Sequence, residues 1–187
     1  MSKLKRLSQL LAAFLSLGAA FAILILAGLP QRGDFSGFSG ESGRIAAPEV
    51  DSLAPSFALP TASAGTLALE QVRGTVTIIN FWASWCQPCR REMRDLQRLY
   101  DSYPGQLRVL AVNSGESLLT VRNWVSQLGL TYDVLLDPEG AISKLYQVRG
   151  LPTTYVLDGE QRIRRLYYGP ARLEQLRQDL DHIGRKV

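Results

Sequence analysis

The run Thr75-Val76-Thr77-Ile78-Ile79-Asn80-Phe81-Trp82 is nearly continuous in β-branched and aromatic residues, and four positions after it ends stands Cys86-Gln87-Pro88-Cys89. A run of that kind reads as a central strand buried on both faces, which needs covering layers above and below. The remainder of the chain alternates in the same sense. Gln87 to Tyr100 reads as a helix with Cys89, Met93, Leu96 and Tyr100 on one face, Leu107 to Val112 as a second buried strand, and Leu118 to Leu128 as a helix ended by Gly129. Tyr132 to Leu136 is a short strand stopped by Asp137-Pro138, and a short helix near Ala141 to Tyr146 leads to Gly150-Leu151-Pro152. Thr153 to Leu157 and Arg162 to Tyr168, joined across Asp158-Gly159, carry a hairpin signal, and Ala171 to Ile183 reads as a terminal amphipathic helix. Strand-helix-strand units closed by a hairpin and a helix imply an α/β fold, a mixed central sheet covered by helices on both faces.

The chemistry concentrates where the first buried strand gives way to a helix. The chain has two cysteines and one histidine, too few for a disulfide-rich scaffold or a four-ligand zinc site. Two cysteines separated by two residues can open and close a disulfide within a first helical turn. The unpaired N–H groups and positive dipole end there favour a thiolate at Cys86, the attacking sulfur, whose pKa in such motifs falls to about 3.5–7.5. Cys89 is placed to resolve a mixed disulfide. Pro88 pre-sets a helical φ and needs no N–H partner at that end. A static disulfide across so short a loop would stabilise little.

Residues 1–30 are expected to be a cytoplasmic basic tip and membrane anchor. Lys3, Lys5 and Arg6 precede 23 uncharged residues, Leu7 to Leu29, a length of about 35 Å against a hydrocarbon core of roughly 30 Å. A cleaved signal peptide is the competing reading, but its apolar region is usually only about 7–15 residues long. The cations stay cytoplasmic by the positive-inside rule, which places everything after Pro30 outside, in an oxidising compartment. Residues 31–50, rich in Gly and Ser, read as a flexible tether, and residues 51–187 as the folded domain.

The formal net charge of +4 first suggests nucleic acid. Three of those charges are Lys3, Lys5 and Arg6, leaving 18 basic against 17 acidic residues in the remainder. The basicity is a topology signal, and it supports no nucleic-acid partner.

Trp85-Cys86-Gln87-Pro88-Cys89, Leu151-Pro152-Thr153-Thr154 and Asn113-Ser114-Gly115-Glu116-Ser117 together resemble the membrane-anchored thioredoxin-like reductases of cytochrome c maturation, the ResA, TlpA and CcmG group, over about Ala54 to Ile183. The resemblance implies a thioredoxin-like fold, no cofactor, and a Cys86–Cys89 dithiol that reduces protein disulfides. Its implied target is the Cys-x-x-Cys-His haem site of apocytochrome c, with re-reduction by a membrane thiol donor of the CcdA or DsbD type. It also implies a cis proline at Pro152, with the Leu151 backbone pairing to an extended substrate strand. Thioredoxins proper have an aspartate at the position of Asn80, so that proton acceptor is missing here. Glu92 matches a glutamate near the cysteines, expected to accept the Cys89 proton and raise that thiol's pKa, and Glu116 matches a second acid in the same cavity. The bland alternative for Glu92 is a solvated carboxylate beside Arg90, Arg91 and Arg94. Trp82 and Trp124 read as core, Trp85 as contact surface, and His182 as a surface residue.

Two other classes share parts of the pattern. A thiol peroxidase of the peroxiredoxin class usually carries a threonine a few residues ahead of its reactive cysteine and does not require the vicinal pair; Ser84 is no clear substitute. A copper chaperone of the Sco kind would want three residues between its cysteines and a ligating histidine.

Overall fold

The computed structural model describes residues 48–184. The expected anchor and all but the last few residues of the tether lie outside them, and among the described residues no helix is long and apolar enough to cross a membrane.

The core is a five-stranded mixed sheet in the order β5 (Asp133–Asp137), β4 (Leu107–Ser114), β3 (Val76–Trp82), β6 (Thr153–Leu157), β7 (Ile163–Tyr168). Its central strand is β3 (Val76–Trp82), buried at every position, followed by helix α1 (Gln87–Ser102). Strand β4 (Leu107–Ser114) lies parallel to β3, and after α2 (Leu118–Leu128) strand β5 (Asp133–Asp137) lies parallel to β4. The short α3 (Ala141–Leu145) then leads to the antiparallel pair β6 (Thr153–Leu157) and β7 (Ile163–Tyr168), and α4 (Leu173–Gly184) closes the domain.

Side chains alternate across the sheet as a period of two requires. On β3, Val76, Ile78 and Trp82 join the cluster that holds Cys89, Met93, Leu96 and Leu99 of α1, Val121 of α2, and Leu176, Leu180 and Ile183 of α4. Ile79 and Phe81 face the other way, toward Phe57, Leu69, Tyr146 and Tyr155. The layers are therefore unequal: three long helices cover one face, whereas the second is covered by α3, a 3-10 turn at Leu69–Val72 and the chain leading into it.

That lead-in contains a hairpin not anticipated from sequence. Strands β1 (Ala58–Pro60) and β2 (Thr66–Ala68) pair antiparallel, with Leu59 opposite Leu67. Elsewhere the differences are at ends. Strand β4 runs on to Ser114, which pairs with Asp137, and stops at Gly115, where φ is +80°. Helix α4 begins at Leu173 rather than Ala171, and the Ala171 amide ahead of it donates to a side chain of α1. Helix α2 occupies its expected span, with Ser117 capping the Thr120 amide and Gly129 left-handed at its end.

Candidate active site

Both cysteines follow from the end of β3. Cys86 is the N-cap of α1, its sulfur accepting from the Cys89 N–H at 3.3 Å, and Pro88 occupies the first turn where no N–H partner is needed. Cys86 and Cys89 are joined in a disulfide, with Cα atoms 5.3 Å apart. Their exposures differ: Cys86 retains 4% and Cys89 none. Trp85, next to Cys86, is 69% exposed, so a large apolar surface borders the less buried of the two cysteines.

Glu92 lies one turn beyond Cys89 and is 2% exposed, so the picture of a solvated carboxylate on an arginine-rich face does not hold. Its Oε1 accepts from the Thr154 hydroxyl at 2.9 Å and from the Ala171 N–H at 3.3 Å. Thr154 in turn accepts from Asn80 Nδ2 at 2.8 Å. Burial pushes the Glu92 pKa up to about 7, against the opposing hydrogen bonds of Thr154, Ala171 and the nearby Asn80 amide. With Oε1 engaged by two donors and Oε2 buried without a partner among the described residues, a proton on Glu92 sits at Oε2. The environment makes this carboxyl a much weaker acid than an exposed glutamate. Tyr132 packs nearby, its hydroxyl donating to the Met93 carbonyl; burial, with Glu92 adding to it, holds this phenol protonated.

Glu116 is placed differently. One oxygen accepts from the Ser84 hydroxyl, and the other from the Ser84 N–H and from Asn113 Nδ2, both at 2.7 Å. Partial desolvation is outweighed by these bonds from Asn113 and Ser84, which hold its carboxyl below the usual range. Glu116 thus grips the turn ahead of Cys86, while Glu92 sits behind Cys89; the two acids share no hydrogen-bonding residue.

The Leu151-Pro152 bond is cis and Pro152 is buried. Thr153 pairs with Phe81, so Pro152 lies at the Trp82 end of β3, the end from which the cysteines follow. Leu151 is half-buried and packs on both core clusters. Trp82 is core, at 1% exposure. Trp124 is only partly so: it packs against the cluster and carries the Arg90 guanidinium on its ring, 4.3 Å from centroid to carbon. His182 is exposed and lines a cleft with Gly74, at the far end of β3 from the cysteines. Seven strand residues, about 23 Å, separate the two ends.

Three contributors escape a sequence reading: Thr154, the Ala171 amide and Arg90. Each acts through a partner at least six residues distant, and only the Thr-Thr pair after Pro152 marks any of them in the sequence.

This fold, with a closed cysteine pair capping the helix after its central strand, defines a thioredoxin-like thiol-disulfide oxidoreductase. The chain belongs to the AhpC/TSA family, whose model matches residues 50–166. It is 35% identical over 135 residues to the thiol-disulfide oxidoreductase ResA of Geobacillus thermodenitrificans, covering 72% of this chain and 78% of that protein. It is 37% identical over 131 residues to the thioredoxin-like protein YneN of Bacillus subtilis, covering 68% and 76%. Among solved structures, StoA from Bacillus subtilis matches with a TM-score of 0.58 at 27% identity, over 66% of this chain and 95% of that one. A thioredoxin-family thiol:disulfide interchange protein from Chlorobium tepidum matches with a TM-score of 0.66 over 73% and 98%; at 22% identity it speaks to the fold alone.

Proposed function

We propose that this chain is a membrane-anchored, extracytoplasmic reductase of protein disulfides that acts in cytochrome c maturation. The observation that carries the reading is the asymmetry of the pair: Cys86 caps a helix N-terminus and keeps a sliver of exposure beside the exposed Trp85, whereas Cys89 is fully buried one turn from a carboxyl whose pKa is raised to about 7. The dithiol form starts the reaction. The Cys86 thiolate attacks one sulfur of a substrate disulfide, the substrate S–S bond breaks, and the departing sulfur leaves as a thiolate that takes a proton from solvent. Glu92 then accepts the Cys89 proton at Oε2, and the Cys89 thiolate attacks Cys86. That step closes the Cys86–Cys89 disulfide and releases the second substrate thiol, so two electrons pass from enzyme to substrate.

The exposed Trp85 and the Leu151 backbone beside cis-Pro152 would seat the substrate segment; Glu116 supports the turn that presents Cys86. The anchor rests on the uncharged run Leu7 to Leu29 behind three cations, and the assignment to cytochrome c rests on the resemblance to ResA. The substrate is then the Cys-x-x-Cys-His site of apocytochrome c, and the electron donor a membrane thiol protein of the CcdA or DsbD type.

The test is trapping. Cys89→Ala leaves Cys86 unable to release its partner, so mixed disulfides accumulate in cells and can be identified by mass spectrometry. Apocytochrome c among them, with the enzyme itself retained in alkali-washed membranes, is the expected result. A set lacking any haem-site protein would refute the cytochrome assignment. Rapid turnover of hydrogen peroxide without reduction of insulin disulfides would favour the peroxidase class instead.

A further inference from the structure

Ser84, two residues before Cys86, is held at three of its atoms. Its N–H and hydroxyl donate to Glu116, and its carbonyl oxygen accepts from Arg90 Nε at 3.1 Å. Arg90 belongs to the first turn of α1 and reaches back over the segment that leads into its own helix, while its guanidinium carbon lies over Trp124 of α2, 4.3 Å from the ring centre. The Cys86 N–H closes the same turn onto the Ala83 carbonyl at 3.1 Å. The path from β3 to the nucleophile is therefore tied to α1 on one side and to the β4–α2 connection on the other. Arginine suits the task because its planar fork offers a fixed Nε donor and a face that stacks on an indole; lysine offers neither.

We propose that Arg90, seated on Trp124, is a positioning residue for Cys86: with Glu116 it fixes the Ser84 turn and so keeps the Cys86 sulfur against the first-turn amides of α1. The proposal rests on Cys86 as the nucleophile. Its effect is felt in the reduced protein. In the oxidised state the disulfide itself holds Cys86 to Cys89; once that bond opens, the Ser84 turn is what keeps the sulfur over the helix N-terminus, where N–H groups and the helix dipole stabilise the thiolate. A loosened turn raises the Cys86 pKa and, by stabilising the reduced form less, makes the couple more reducing.

The experiment uses the reduced full chain in a Cys89→Ala background, so that Cys86 is the only thiol, and follows its alkylation by iodoacetamide against pH. Arg90→Met keeps a stem that packs on Trp124 but loses the charge and the Nε donor; Arg90→Lys keeps the charge and loses the donor. Both should move the midpoint of the alkylation profile up by roughly one pH unit, with the melting temperature nearly unchanged. A lysine variant that reacts like the parent would show a charge acting through space and overturn the proposal, as would two unchanged variants. Should the Arg90 variants fail to fold, Trp124→Leu must shift the profile in the same direction, and its failure to do so overturns the proposal equally. Alkylation requires no protein substrate, so a wrong assignment of the physiological target leaves this test intact.

Discussion

Thr154 Oγ1 donates to Glu92 Oε1 at 2.9 Å while accepting from Asn80 Nδ2 at 2.8 Å. An amide nitrogen only donates, so the threonine hydroxyl must point at the carboxylate, and the direction of the chain is fixed. A strand residue and the residue two after the cis proline thereby favour the ionised form of a helix carboxyl, one turn from Cys89, whose pKa burial raises.

Glu92→Gln should slow the resolving step at pH 7 and move the midpoint of its pH profile upward, from about 7 toward that of an unassisted buried thiol. The released substrate thiol is followed after rapid mixing; an unchanged pH–rate profile would contradict the role given to Glu92. The same residue governs stability. Its folded pKa, about 7, lies above the unfolded value of 4.5, so the folded state is favoured by its protonated form. That advantage is complete below about pH 4.5 and is lost as pH rises through 7. The loss is on the order of 3 kcal/mol, and urea titrations of the oxidised protein at pH 5 and pH 8 should show it in the parent and not in Glu92→Gln.

Thr154→Val removes the hydroxyl that serves both Asn80 and Glu92. Leaving buried groups unpaired typically costs about 1–3 kcal/mol, and losing a donor to the carboxylate should raise the Glu92 pKa further. Thr154→Ser should restore stability and the pH midpoint together; recovery of neither would show that the hydroxyl is not the working group.

The legible and illegible parts of the fold divide along contact range. Gly129, Ser117 and Pro88 mark helix ends through interactions within a few residues, and the β-branched run into Trp82 announces a central strand by composition alone. The β1–β2 hairpin leaves no such trace: each strand has three residues, and Ala58-Leu59-Pro60 with Thr66-Leu67-Ala68 is too short to show a period. The surroundings of Glu92 are equally hidden. Arg90, Arg91 and Arg94 make its helix face look solvated, and its burial depends on Thr154 and Ala171, 62 and 79 residues away. Resemblance supplied what periodicity could not.

Trp85→Ala should separate substrate contact from chemistry. The ring is 69% exposed, so its loss should change stability by no more than about 0.5 kcal/mol. Reduction of a protein disulfide should slow severalfold while reaction with a small aromatic disulfide stays at the parental rate. Equal losses with both substrates would remove Trp85 from the contact surface.

The direction of electron flow is the centre of the account, and the equilibrium midpoint potential of the Cys86–Cys89 couple against glutathione or dithiothreitol buffers tests it most directly. A reductant of protein disulfides should lie on the thioredoxin side, near or below about −270 mV. A value close to about −120 mV, that of the strong oxidant DsbA, would contradict it.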